Sequence, residues 1–194
     1  MRRVLNPDDR RLVVVGTSGS GKTTFSRALS GKLGIPHVEL DALYWGPNWT
    51  GRSKAEFQAA VLHRLKPPAW IVDGNYSKVS DLVWERATTI IWLDYPFRVV
   101  FGRALSRTFR RLITREELYS GNRETWRNVL HPEGIPIWVL RTYRRRRREY
   151  PARFRETRYS HLHVVVLRSP SEADRLLARI PPGNPDLNHS TEGP

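Results

Sequence analysis

The residues whose types and spacing can do chemistry come first at Gly16-Thr17-Ser18-Gly19-Ser20-Gly21-Lys22-Thr23-Thr24. The run follows the apolar stretch Leu12-Val13-Val14-Val15 and matches the pattern G-x-x-x-x-G-K-[ST]. Small residues there let backbone N–H groups face a phosphate, Lys22 reaches the β- and γ-phosphates, and Thr23 offers a hydroxyl to Mg²⁺. The helix expected to start at Lys22 adds the partial positive charge of its N-terminus. A strand, a glycine turn and a helix start are all legible, so ATP and Mg²⁺ are the expected ligands.

Three carboxylates form the second group. Asp41 follows His37-Val38-Glu39-Leu40, Asp73 follows Trp70-Ile71-Val72, and Asp94 follows Thr89-Ile90-Ile91-Trp92-Leu93. Asp73, at the end of a Val-rich strand, is read as a member of the Mg²⁺ shell together with Thr23. Asp41 is read as the group that accepts a substrate hydroxyl proton or orients the acceptor. Asp94 reads as a strand-end cap. Tyr44, Trp45, Trp49 and Tyr76 suit either the wall of an acceptor pocket or aromatic core filling.

Arginines form the third group. Between Arg98 and Arg158 stand 17 arginines and no lysine against six acidic residues, so +11 of the chain's net +14 lies in one segment. Arg103, Arg107 and Arg111 recur every four residues beside the apolar positions Val100, Phe101, Ala104, Leu105, Thr108 and Leu112. One helix therefore offers a core stripe and an arginine stripe able to neutralise charge on a transferred phosphoryl group. The run Arg144–Arg148, closed by Tyr150-Pro151, reads as a solvated helix end or counter-charge for the helix C-terminus, with a lid or nucleic-acid contact as the alternatives. His161 and His163 have no partner at metal-ligand spacing and read as structural.

The elements that must position these groups are five short apolar strands alternating with amphipathic helices, which predicts an α/β fold with a parallel sheet covered on both faces. Right-handed crossovers place the strand C-termini, and with them Gly16, Asp41, Asp73 and Asp94, along one edge. The first helix carries Phe25, Ala28, Leu29 and Leu33 as its core stripe, and Ser53-Lys54-Ala55-Glu56 is a capping box that opens another helix. Ser169-Pro170-Ser171-Glu172 caps the last one in the same way. Residues 1–180 read as a single domain with a lid or basic insert over about 98–158, and 181–194 as a disordered tail. The absence of cysteine excludes disulfide scaffolds and thiolate metal sites. With no signal peptide or membrane span readable, a cytoplasmic protein, monomeric or weakly dimeric, is expected.

Taken together, the phosphate loop, Leu40-Asp41-Ala42-Leu43-Tyr44-Trp45, Trp70-Ile71-Val72-Asp73-Gly74-Asn75-Tyr76 and Ile90-Ile91-Trp92-Leu93-Asp94-Tyr95-Pro96 resemble the adenylate-kinase-related P-loop proteins labelled DNA topology modulation proteins. The likeness spans roughly residues 11–180. It implies a three-layer P-loop kinase fold with strand order 2-3-1-4-5, ATP and Mg²⁺ binding, an arginine-bearing helical lid, and an adenine-contacting loop near Ser169 and Pro170. Two stretches depart from the adenylate kinase pattern: neither the usual acceptor segment after the first helix nor Asp-Gly-Phe-Pro-Arg after the third strand is present. Asp41 instead stands where shikimate- and gluconate-type kinases keep a carboxylate for a substrate hydroxyl.

The expected activity is therefore transfer of the γ-phosphoryl of Mg-ATP to a small acceptor, either a nucleotide or a hydroxylated metabolite. The expected catalytic residues are Lys22, Asp41, Asp73, Arg103, Arg107 and Arg111. Two alternatives use the basic segment 98–158 differently: a nucleic-acid-binding ATPase, and an ATP-binding regulatory protein. No helix-turn-helix, zinc finger or RNA-binding aromatic signature supports the first of these.

Overall fold

A computed structural model describes residue 5 and residues 9–125 and 135–181, without the side chains of 135–137. The first strand, β1 (Arg11–Gly16), leads through the phosphate loop into α1 (Lys22–Leu33). Next come β2 (His37–Glu39), the short α2 (Leu40–Tyr44), α3 (Lys54–Arg64), β3 (Trp70–Asp73), α4 (Ser77–Trp84) and β4 (Thr89–Leu93). The two arginine-bearing helices, α5 (Phe97–Thr114) and α6 (Ile135–Arg153), precede β5 (His163–Leu167) and α7 (Pro170–Arg179).

All five strands pair in parallel in the order β2-β3-β1-β4-β5. Their near-continuous apolar character follows from burial on both faces, because Leu12 to Val15 and Trp70 to Val72 are each at most 1% exposed. One face packs on α1, α5 and α7 through Leu12, Val14, Phe25, Leu29, Val100 and Leu176. The other packs on α3, α4 and the end of α6 through Val13, Val15, Phe57, Val61, Val83 and Tyr150. Within α1 the buried residues are Phe25, Ser26 and Leu29, while Ala28 faces solvent. Leu105 of α5 is likewise exposed, at 37%.

Caps act as expected. Ser53 and Glu56 make a reciprocal capping box, and Ser169 accepts from the Glu172 backbone N–H with Pro170 in the first turn. Two boundaries differ from the sequence reading. Leu40 opens a helical turn rather than ending β2, so the expected aromatic loop begins as α2. The arginine helix continues through Pro151 to Arg153. Proline removes one N–H and crowds the preceding turn, but Tyr150 and Phe154 pack against Trp84 and Trp92 and hold that last turn in place. Residues 182–194 of the expected tail and residues 126–134 of the lid region lie outside the described residues. Among the described residues, no helix is long and apolar enough to cross a membrane.

Candidate active site

The phosphate loop takes its shape from glycines with positive φ. Gly19 (φ 88°) and Gly21 (φ 86°) sit in the left-handed region, which costs little only without a Cβ. Gly19 also touches α5: a Cβ there would lie 2.4 Å from the carbonyl oxygen of Val100. The loop is thus clamped against the arginine helix. Its first residue is held from the other side, where the Asn75 amide donates to the Gly16 carbonyl at 2.5 Å and its oxygen receives the Gly16 N–H at 3.4 Å.

Lys22 opens α1, and its Nζ reaches the Thr17 carbonyl at 3.5 Å. Burial, followed by the guanidinium of Arg146, lowers its pKa from 10.5 to about 8. Thr17 and Ser20 are buried in the loop, and the Ser20 hydroxyl has no protein partner. Ser18 and Thr23 are half-buried, whereas Thr24 is exposed.

Thr23 Oγ1 lies 3.5 Å from Asp73 Oδ1 and 3.3 Å from Glu39 Oε1. The strand register explains this: Glu39 of β2 pairs with Asp73 of β3, so both carboxylates project from the same face beside the start of α1. Asp73 is 1% exposed, and its other oxygen is bonded to His37 Nε2 at 2.8 Å. A hydroxyl with two neighbouring carboxylates is a hard-oxygen set that suits Mg²⁺. No group of three or more His, Cys, Asp or Glu among the described residues could hold an ion alone.

Asp41 sits in the first turn of α2, and its Oδ1 accepts the Tyr76 hydroxyl at 2.5 Å. Burial and the Asp41 charge together push the Tyr76 pKa strongly upward, so the phenol remains a donor. Asp41 also lies close enough to influence Lys22, Arg107 and Arg146 electrostatically. The structure therefore brings Lys22, Asp41, Asp73 and Arg107 to one sheet edge.

The three arginines of α5 have different surroundings. Arg103 stands beside Gly21 and over the Tyr95 ring, 5.9 Å from its centroid. Arg107 is half-buried with an unpartnered Nε, and burial lowers its pKa. Arg111 is tied to Glu124 at 3.1 Å and to Glu116 at 3.8 Å. Its charge is already matched within the protein, which sets it apart from Arg103 and Arg107.

The structure adds residues that the sequence reading passed over. Glu39 and His37 enter through strand register, a relationship invisible before the sheet order is known. Tyr119 donates to Glu39, and a turn containing Ser120 and Asn122 latches onto the loop at Trp45, Gly46 and Trp49. Arg146 corrects the reading of the Arg144–Arg148 run. Arg144, Arg145 and Arg148 are exposed, but Arg146 is only 7% exposed, and its charge helps to lower the Lys22 pKa. Its neighbour Arg147 grips Asp94 at 2.8 Å, so Asp94 is an ion-pair partner of α6. The aromatics divide as well: Tyr44 and Tyr76 pack with Phe57, while Trp45 and Trp49 pack edge-to-face on each other.

No protein-family model and no curated protein matches the sequence. Solved structures do. Shikimate kinase from Bacteroides thetaiotaomicron matches with a TM-score of 0.51 at 15% identity, covering 88% of this chain and 95% of that one. Shikimate kinase from Aquifex aeolicus vf5 matches at 0.50 and 14% identity, over 88% and 92% of the two chains. A gluconokinase from Sinorhizobium meliloti 1021 matches at 0.49 and 22% identity, over 89% and 94%. The two shikimate kinase matches show the P-loop kinase fold, with the expected strand order and helices on both faces.

Proposed function

We propose that the protein is an ATP-dependent phosphotransferase that moves the γ-phosphoryl of Mg-ATP to a hydroxyl of a small acceptor. The observation that carries this reading is the single sheet edge holding Lys22, the Thr23–Asp73 pair, and Asp41 braced by Tyr76. The two matching shikimate kinase structures support it at the level of fold. So does the sequence resemblance to adenylate-kinase-related topology modulation proteins.

Phosphoryl transfer needs positioning and charge neutralisation more than covalent chemistry. Loop N–H groups and Lys22 hold the phosphates, and Arg103 beside Gly21 and Arg107 offer guanidinium charge to the transferred group. The acceptor oxygen forms a bond to the γ-phosphorus, and the bond from that phosphorus to the bridging oxygen breaks. The electron pair leaves with ADP, and the hydroxyl proton passes to the Asp41 carboxylate. Thr23, with Asp73 and Glu39 behind it, would hold Mg²⁺, which neutralises the phosphate oxygens. A cytoplasmic location and a monomer or weak homodimer complete this reading.

The test is ADP release with panels of hydroxylated metabolites and nucleoside monophosphates. Activity on a hydroxylated compound that disappears in Lys22→Ala supports the proposal; inactivity on both panels counts against it. The exposed Arg144, Arg145 and Arg148 motivate the second reading, a nucleic-acid-binding ATPase. That reading requires ATP hydrolysis stimulated by DNA or RNA and affinity that falls linearly in log salt.

A further inference from the structure

The two carboxylates beside Thr23 are held in different ways. Asp73 turns Oδ1 toward the Thr23 hydroxyl at 3.5 Å and bonds His37 Nε2 through Oδ2 at 2.8 Å, so its second anchor comes from the neighbouring strand β2. Glu39 turns Oε1 toward the same hydroxyl at 3.3 Å. A hydroxyl carries one proton, so Thr23 cannot donate to both carboxylates at once. Glu39 Oε1 receives a second donor, the Tyr119 hydroxyl. The other Glu39 oxygen meets Arg27 at 3.3 Å, but the Arg27 side chain is 69% exposed, and such a pair is worth little. Tyr119 is half-buried. Burial, followed by its bond to Glu39, pushes its pKa strongly upward, so the phenol stays a donor.

Tyr119 stands 80 residues from Glu39 in the chain, in a turn that follows α5. That turn is pinned on both sides. Asn122, 5% exposed, donates to the Gly46 carbonyl at 2.8 Å and to the Tyr119 carbonyl at 2.7 Å, and it accepts the Trp49 N–H at 2.9 Å. The Ser120 hydroxyl donates to the Trp45 carbonyl at 2.9 Å. Ser120 (φ 57°) and Trp49 (φ 56°) both lie in the left-handed region, which a residue with a Cβ keeps only where its surroundings fix it. On the other side, Arg111 of α5 pairs at 3.1 Å with the buried Glu124, two residues beyond Asn122. The placement of Tyr119 thus depends on the arginine helix and on the loop from Trp45 to Trp49 together.

We propose that Tyr119 is a positioning residue for the cation of Mg-ATP: its hydroxyl sets Glu39 Oε1 beside Thr23, while the Asn122 latch and the Arg111–Glu124 pair set Tyr119. Thr23 and Asp73 form one half of the cation site, and the segment after α5 completes the other. Arg111 then acts through this turn rather than on a phosphate oxygen. The role rests on the phosphotransferase reading and deepens it, because it names what arranges the cation site.

Calorimetry on the full-length protein gives the ATP affinity with Mg²⁺ and with EDTA, and the ratio of the two measures the strengthening due to the cation. The parent should bind ATP about ten-fold or more tightly with Mg²⁺. Tyr119→Phe keeps the ring and removes the donor, so it should lose most of that ratio while its Kd in EDTA stays within about two-fold of the parent. Asn122→Ala should lower the ratio as well, although its Tyr119 is intact. If that variant fails to fold, Ser120→Ala, which removes the neighbouring bond to Trp45, takes its place. With Glu39→Gln already present, adding Tyr119→Phe should change the ratio by less than about two-fold, because the two residues act as a unit. Three results overturn the role and leave the kinase reading standing: a parental ratio in Tyr119→Phe or in the folded latch variant, an equal loss of affinity in EDTA, and a full further loss on top of Glu39→Gln. A parent whose ATP affinity ignores Mg²⁺ would instead overturn the Mg-ATP reading, and this role with it.

Discussion

Asn75 holds Gly16 by both its backbone N–H and its carbonyl, and through the Tyr150 hydroxyl it joins the phosphate loop to the arginine helix. The loop's first residue is thereby fixed to the turn after β3 and to α6 at once. Asn75→Ala leaves buried polar groups of Gly16 and Tyr150 without a partner, at a cost of about 1–3 kcal/mol. We expect a lower Tm and weaker Mg-ATP binding. Tyr150→Phe should retain most of the ATP affinity, because the two Gly16 contacts survive. Equal ATP affinity in Asn75→Ala and the parent would show that this clamp does not shape the loop.

Lys22 leads to a prediction about protons. Its pKa of about 8 reflects burial and the nearby Arg146 charge, and phosphate oxygens would raise it. At pH 8 the free protein carries Lys22 only partly protonated, so ATP binding should take up a fraction of a proton. At pH 6.5 uptake through this group should be near zero. Calorimetry in buffers of different ionisation enthalpy measures the difference, and an uptake equal at both pH values would contradict it.

The same residue sets a stability trend. Its folded pKa lies below the unfolded value of 10.5, so the unfolded chain binds more protons between those two values. Stability of the ligand-free protein through this group therefore rises as pH climbs from about 8 to 10.5. Below pH 8 the full cost of the charged lysine is present. Lys22→Met should accordingly raise ligand-free stability at pH 7 by roughly 1–3 kcal/mol while abolishing ATP binding. Urea denaturation of both proteins provides the check.

Asp41→Asn removes the proton acceptor but keeps the shape. A fall in kcat of about 10²–10⁴-fold is expected, with little change in the Kd for ATP. Tyr76→Phe removes only the hydrogen bond that orients Asp41, so its effect on kcat should be smaller. Steady-state kinetics alongside ATP titration separate the two; an Asp41→Asn enzyme with parental kcat would remove Asp41 from the chemistry.

Gly19→Ala tests the contact between the loop and α5. A Cβ at φ 88° would meet the Val100 carbonyl oxygen at 2.4 Å, a backbone atom that cannot move without shifting the helix. We expect a lower melting temperature and a large loss of ATP affinity. Gly31→Ala, with open space around its Cβ in the last turn of α1, should be neutral or slightly stabilising.

Much of the site was legible in the chain because it depends on local geometry. The run Gly16–Thr24 specifies its own turn, and the apolar runs Leu12–Val15, Trp70–Val72 and Thr89–Leu93, the last two followed by Asp73 and Asp94, announce a parallel sheet with its carboxylates at one edge. Glu39 and His37 escaped notice because strand register, not sequence distance, brings them to Asp73. Arg146 escaped because five consecutive arginines look alike in a sequence. Helical rotation then sends one inward and another, Arg147, to Asp94.

By itself, the sequence determined the parallel sheet and the glycine turn that joins its first strand to the first helix, since hydrophobic run length and glycine placement act over a few residues. Tertiary structure alone decided which arginines are free to meet a ligand. Arg111 is neutralised by Glu124 and Arg147 by Asp94, while the half-buried Arg107 and the buried Arg146 each keep a guanidinium nitrogen without a hydrogen-bond partner. Pairing of charges depends on which helices pack together, and no local pattern in the chain encodes that.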